Sequence, residues 1–125
     1  MNDIRNREDI ELLVNSFYDK VRVDNTIGYI FNNVAAVDWI IHLPKMYSFW
    51  ETVLLDKRSF KGNPMVAHIQ LSRKTEMNQT HFDKWLKLWN ATIDEHFKGN
   101  IAKEAQQRGK NIAGLMLHKI KNYKN

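Results

Sequence analysis

Phe60-Lys61-Gly62-Asn63-Pro64-Met65-Val66-Ala67-His68-Ile69-Gln70-Leu71 is the stretch whose reading decides the fold. Gly62 supplies a turn and Asn63 is a good N-cap. Pro64 at the first helical position gives up no hydrogen bond, because the N–H it lacks is one that a helix start leaves unpaired anyway. The pattern predicts a short helix beginning at Pro64. On it Met65, Ile69 and Val66 share an apolar stripe, and His68 lies beside that stripe one turn after Pro64. A lone histidine there has two readings. It is either a partly buried side chain hydrogen-bonded to backbone, the commoner case, or a ligand to a metal or haem iron. The residues elsewhere in the chain decide between them.

The chain has 125 residues, which fits a single domain over 1–125, large enough to bury one core without staples. It contains no cysteine, which excludes disulfides, thiolate zinc sites and iron–sulfur clusters. The opening Met1-Asn2-Asp3-Ile4-Arg5-Asn6-Arg7-Glu8-Asp9 is charged and has no apolar run, so neither a signal peptide nor a membrane span is expected, and the cytoplasm is the expected compartment. The net charge is +5, with 14 acidic residues dispersed among the basic ones except in the tail Lys119-Ile120-Lys121-Asn122-Tyr123-Lys124-Asn125. That tail reads as a solvated helix end rather than a nucleic-acid surface, and neither nucleic acid nor membrane is an expected partner.

Two prolines, five glycines and no alternating strand runs point to an all-α fold. The first helix is predicted over about Arg7 to Val23, with Ile10, Leu13, Val14, Phe17, Tyr18 and Val21 in one stripe, so that Tyr18 points inward. Asn25-Thr26-Ile27-Gly28 breaks it. Tyr29-Ile30-Phe31 then forms an apolar turn closed by Asn32-Asn33, and Phe31 is expected to enter the core from that corner.

A second helix is predicted from an Asp38 N-cap to about Leu55, with Trp39, His42, Met46, Phe49, Trp50, Val53 and Leu54 along it. This spacing puts His42 on one face with Met46 and Trp50. Pro44 removes one backbone bond, so an irregular first turn or a kink is expected between Ile40 and Pro44. Thr80 with Asp83 resembles a capping box opening a helix that carries Phe82, Trp85, Leu86, Trp89, Ile93 and Phe97, stopped at Lys98-Gly99. The last helix, about Ile101 to Lys121, buries Ile101, Ala105, Ile112, Met116 and Ile120. Ala105, Gly109 and Ala113 at four-residue spacing permit a close helix crossing.

Two inward histidines, an inward tyrosine and several tryptophans bring more donor chemistry than a plain core carries. Taken singly, Tyr18 and Trp85 are ordinary core aromatics whose O–H and N–H find backbone partners. Taken together they can line a pocket. The chain has no Gly-rich phosphate loop, no His-Glu-x-x-His and no nucleophile elbow, and His81, His96 and His118 fall at surface or half-buried positions.

The chain resembles the group III truncated haemoglobins of bacteria. The resemblance rests on Phe17-Tyr18, Ile30-Phe31-Asn32-Asn33, Asp38-Trp39-x-x-His42-Leu43, Lys45-Met46 and Phe49-Trp50. It continues through Val53-Leu54-Leu55, Lys61-Gly62-Asn63-Pro64-Met65, Ala67-His68 and His81-Phe82-Asp83-x-Trp85-Leu86. These stretches span about Phe17 to Trp89 in the right order and at matching intervals. Pro44 and Ile40 depart from the pattern.

The resemblance implies a shortened globin, a two-over-two helical sandwich holding one b-type haem. His68 is then the proximal iron ligand, with Met65, Ile69 and Phe31 packed on the porphyrin. On the other face it implies Tyr18, Trp85 and His42 as donors to a diatomic ligand (oxygen, nitric oxide or carbon monoxide), with Met46 and Trp50 completing an apolar wall. Reversible ligand binding is the function expected. Redox catalysis at the same iron, either nitric oxide dioxygenation or peroxide chemistry with a separate reductase, is the alternative.

Overall fold

The first helix is set by its ends as much as by its stripe. Asn6 is its N-cap, and the side-chain oxygen accepts from the Asp9 N–H at 3.0 Å. Glu8 and Asp9 in the first turn and Lys20 and Arg22 in the last turn complement the helix dipole. In the computed structural model, which describes residues 1–34, 38–55 and 77–124, this helix (α1) runs Arg7–Val23 and buries the predicted Ile10, Leu13, Val14, Phe17, Tyr18 and Val21.

The chain turns because Asp24 offers an acceptor where the helix ladder runs out. Its carboxylate takes the N–H groups of Thr26 at 2.9 Å and Ile27 at 3.0 Å. A π turn follows over Ile30–Val34, and the Asn32 side-chain amide ties it back to the Arg22 carbonyl at 2.9 Å. The corner residues that reach the core are Ile27 and Ile30, whereas Phe31, expected there, stays half-buried. Two isoleucines already fill the space beneath the corner, leaving Phe31 to pack sideways on Tyr18 and Trp39.

Helix α2 spans Trp39–Leu55, with the Asp38 carboxylate accepting from the Ile40 N–H at 3.1 Å as predicted for an N-cap. The helix continues through Pro44 without a break. The carbonyl that Pro44 leaves without its usual donor belongs to Ile40, a residue 86% exposed, where water can serve it. Helix α3 spans Gln79–His96, and here the sequence expectation is corrected. The cap is Asn78, not Thr80: its side chain accepts from the Thr80 and His81 N–H groups, and His81 Nδ1 accepts in return from the Asn78 N–H at 3.1 Å. Histidine thus fills the role usually taken by Glu or Gln in the box. Asp83 instead accepts from the Gln79 side chain one turn back.

Helix α4 spans Asn100–Lys124 and is capped from a distance. Asp3 accepts the N–H groups of Ile101 at 2.9 Å and Ala102 at 2.8 Å, so residues before α1 close the start of the last helix. Gly99, at φ +149°, makes this possible, since a Cβ there would lie 2.5 Å from the Asp3 carboxyl carbon. The predicted close crossing is present as well: a Cβ on Gly109 would lie 2.5 Å from Trp89 Cδ1, and the Trp89 indole N–H donates to the Ala105 carbonyl at 3.0 Å.

Helix α1 packs on both α2 and α3, and α3 packs along α4, so two helix pairs are stacked with α1 at the centre. Burying Phe17 and Trp89 completely contributes about 2–3 kcal/mol each at this junction. Among the described residues, no helix is long and apolar enough to cross a membrane.

Candidate functional site

The site grows from two adjacent residues of α1 that face different neighbours. Phe17 is buried edge-on to Trp85 and Trp89, with ring centroids 5.5 Å and 5.1 Å away. Tyr18, next in sequence, turns about 100° round the helix and faces α2. Its hydroxyl lies 3.2 Å from His42 Nε2. Burial pushes the Tyr18 hydroxyl well above the usual tyrosine range, because a phenolate there would lose its hydration. Tyr18 therefore remains a neutral O–H group at any physiological pH.

Two more rings surround this pair. Trp39 sits 5.2 Å from Tyr18 and 5.6 Å from His42, and stacks on Phe31 at 6.3 Å with 25° between the planes. Phe31 also meets the Tyr18 ring at 5.9 Å. The Arg22 guanidinium lies over the Trp39 ring, 4.0 Å from its centroid. Met46, Phe31, Trp39 and Trp85 are only partly buried, although all of them pack on the core cluster.

The tryptophans divide by what their N–H groups do. Trp89 is fully buried and its N–H is occupied by Ala105. Trp85 lies parallel to it at 6.1 Å, half-buried, and its N–H has no hydrogen-bond partner among the described residues. It can therefore donate to a ligand. Trp50 is placed deeper than its neighbours on α2, 4% exposed and stacked on Trp89 at 4.3 Å. Beside Trp85, Lys84 pairs with the corner carboxylate Asp24 at 3.2 Å, which ties this end of α3 to the end of α1.

The structure thus brings together Tyr18, His42 and Phe31, and sets Trp85 against Phe17 on the same helix junction. His68, Met65 and Ile69 lie outside the described residues, as does the predicted helix from Pro64.

No family model matches the chain. A curated protein, the group 3 truncated haemoglobin ctb of Campylobacter jejuni, is 32% identical over 118 residues, covering 89% of this chain and 91% of that protein. The chain belongs to the group III truncated haemoglobins. The crystal structure of the group III truncated haemoglobin from Campylobacter jejuni matches the fold of this truncated globin with a TM-score of 0.83 at 29% identity, over 96% of this chain and 95% of that one. The stacked helix pairs are therefore the two-over-two sandwich of a shortened globin.

Within this truncated globin, sequence reasoning missed two neighbours of the donor pair, Trp39 and Arg22. The signal was available in the spacing: Trp39 precedes His42 by three residues on α2, and Arg22 follows Tyr18 by four on α1, so each shares a helix face with a donor.

Proposed function

We propose that this globin holds a b-type haem and binds oxygen, or another diatomic ligand such as nitric oxide or carbon monoxide, reversibly on the Tyr18 side. The observation that carries the reading is the buried, neutral Tyr18 hydroxyl bonded to His42 inside a ring of aromatic side chains. Family membership supports the haem, and the donor set fits it. Phe31, Met46 and Trp85 offer half-buried apolar edges for a porphyrin, and His68, the residue chosen from the sequence with Met65 and Ile69, is the proximal ligand in this reading.

A bound haem would supply an iron able to take a diatomic ligand. The chain's own residues do the rest. Tyr18 has one hydroxyl proton. When His42 carries its proton on Nε2 it donates to the Tyr18 oxygen, and the hydroxyl proton is left free to point at a ligand. Trp85 can only donate, so it favours a ligand atom carrying partial negative charge. In a site from which water is excluded, such donors stabilise the ligand more than they would in water. Trp50, stacked on Trp89, backs this wall from within the core. We place the protein in the cytoplasm as one globin domain, with a separate reductase to keep iron ferrous.

Absorption spectra of the purified protein, oxidised, reduced and with carbon monoxide, test the reading. Haem spectra that respond to carbon monoxide are expected, and His68→Ala should lose haem or need added imidazole to retain it. A colourless protein after haem supplementation would contradict the reading, and so would a His68→Ala variant with an unchanged ferrous spectrum.

A further inference from the structure

Arg22 is placed in a way that its own solvation does not explain. Its Nε is buried and has no hydrogen-bond partner among the described residues, a costly position for a guanidinium donor. What it has instead is the face of Trp39 at 4.0 Å, close enough for a cation–π contact. The backbone of Arg22 is committed too, since its carbonyl accepts from the Asn32 side chain and so ties α1 to the π turn that carries Phe31. Phe31 in turn stacks on Trp39.

Trp39 is thus held by two elements, and it touches both members of the donor pair. Its ring meets His42 nearly perpendicularly, at 87°, and lies 5.2 Å from Tyr18. His42 is itself edge-on to Tyr18 at 80°. His42 thus packs on both rings, and a shift of the imidazole out of its contact with Tyr18 changes its packing on the indole.

We propose that Arg22 and Trp39 form a clamp that positions His42 against Tyr18 and so sets how fast a ligand enters. Both are positioning residues, Arg22 acting through Trp39 and Trp39 through His42. The consequence for ligand binding rests on the function proposed above, whereas the positioning itself does not.

The test compares Arg22→Leu, Arg22→Lys and Trp39→Phe with the parent protein in two measurements. In the haem-loaded protein, carbon monoxide recombination after flash photolysis should be roughly three- to tenfold faster in Arg22→Leu, the range expected for loss of a cation–π contact of this kind. Carbon monoxide release should change less than twofold. Arg22→Lys, which keeps a cation, should recover most of the parent rate, a rescue that a purely structural role for Arg22 does not predict. Trp39→Phe keeps an aromatic of smaller face and should fall between parent and Arg22→Leu. In the same proteins without added ligand, the ring-nitrogen NMR shifts of His42 should move toward those of free imidazole in Arg22→Leu. Entry rates and His42 shifts that match the parent in Arg22→Leu would overturn the clamp, as would equal changes in Arg22→Leu and Arg22→Lys. Failure to take up haem would overturn the proposed function instead, and the His42 shifts would still decide the clamp.

Discussion

Tyr18 has one proton to give, and the value of the site depends on where that proton goes. The His42 contact at 3.2 Å is what lets the hydroxyl act as a donor to a third group, provided His42 carries its proton on Nε2. Trp85 is the second donor in the proposed function, and its half-burial and an N–H without a hydrogen-bond partner among the described residues set it apart from Trp89, whose N–H is used within the fold. Trp85→Phe keeps the packing against Phe17 and removes only the N–H. Oxygen dissociation should then accelerate several-fold, in line with a donor worth about 1 kcal/mol, while haem affinity stays nearly constant. Unaltered ligand kinetics would make Trp85 a packing residue only. Tyr18, His42 and Trp85 were legible because each lies on an otherwise apolar helical stripe, where a polar group calls for a partner. Arg22 carries a weaker signal: its four-residue spacing from Tyr18 puts it on the donor's face, but an arginine in the last turn of a helix already has a sufficient local reason to be there.

At the scale of elements, the helices were legible and their ends less so. Periodicity placed α1 at Arg7–Val23, and the Ala105-Gly109-Ala113 spacing anticipated the crossing of α4 on Trp89. The start of α3 was misplaced because histidine accepting through Nδ1 is not part of the usual capping pattern. The Asp3 cap on α4 was invisible, since it joins residues about a hundred positions apart. Gly109→Ala tests the crossing. The added methyl meets a rigid, buried indole, so the variant should lose about 1–3 kcal/mol of stability in urea unfolding. A variant as stable as the parent would show that the helices can part at little cost.

The Asp3 cap gives a pH signature. Burial by itself raises the Asp3 carboxyl, but the amides of Ile101, Ala102, Ile4 and Asn100 outweigh it and hold the group below its ordinary value of 3.8. Asp24 is lowered in the same way, with burial opposed by the amides of Ile27 and Thr26 and by Lys84. A carboxyl lowered in the folded state contributes stability that is fully present above its unfolded value and is lost as pH falls through the folded value. Asp3→Asn should therefore lower Tm by about 3–5 °C near neutrality, the size expected for a weakened helix cap of about 1 kcal/mol. The two proteins should converge as pH drops below about 4. A gap in Tm that stays constant down to pH 2 would contradict this account of Asp3.

For the whole molecule, the all-α architecture followed from composition and spacing, because long stripes at 3.6-residue period with few breakers leave helix stacking as the way to bury them. The site was legible only as a set of candidates. Which donors meet depends on how α2 lies across α1, and that is a property of packing that no single helix carries. The comparison with the Campylobacter jejuni globin covers nearly the whole length of both chains, so the stacking belongs to the family, whereas the Tyr18–His42 contact and the aromatic shell around it are observations on this chain.

The claim that joins these scales is that Tyr18 holds the ligand while His42 orients it and guards entry. Stopped-flow oxygen dissociation from the ferrous protein, compared among the parent, Tyr18→Phe and His42→Leu, addresses it most directly. A hydrogen bond worth about 1–2 kcal/mol predicts release roughly tenfold faster in Tyr18→Phe, with His42→Leu changing mainly the rate of entry. Faster release in His42→Leu together with unchanged release in Tyr18→Phe would contradict the account.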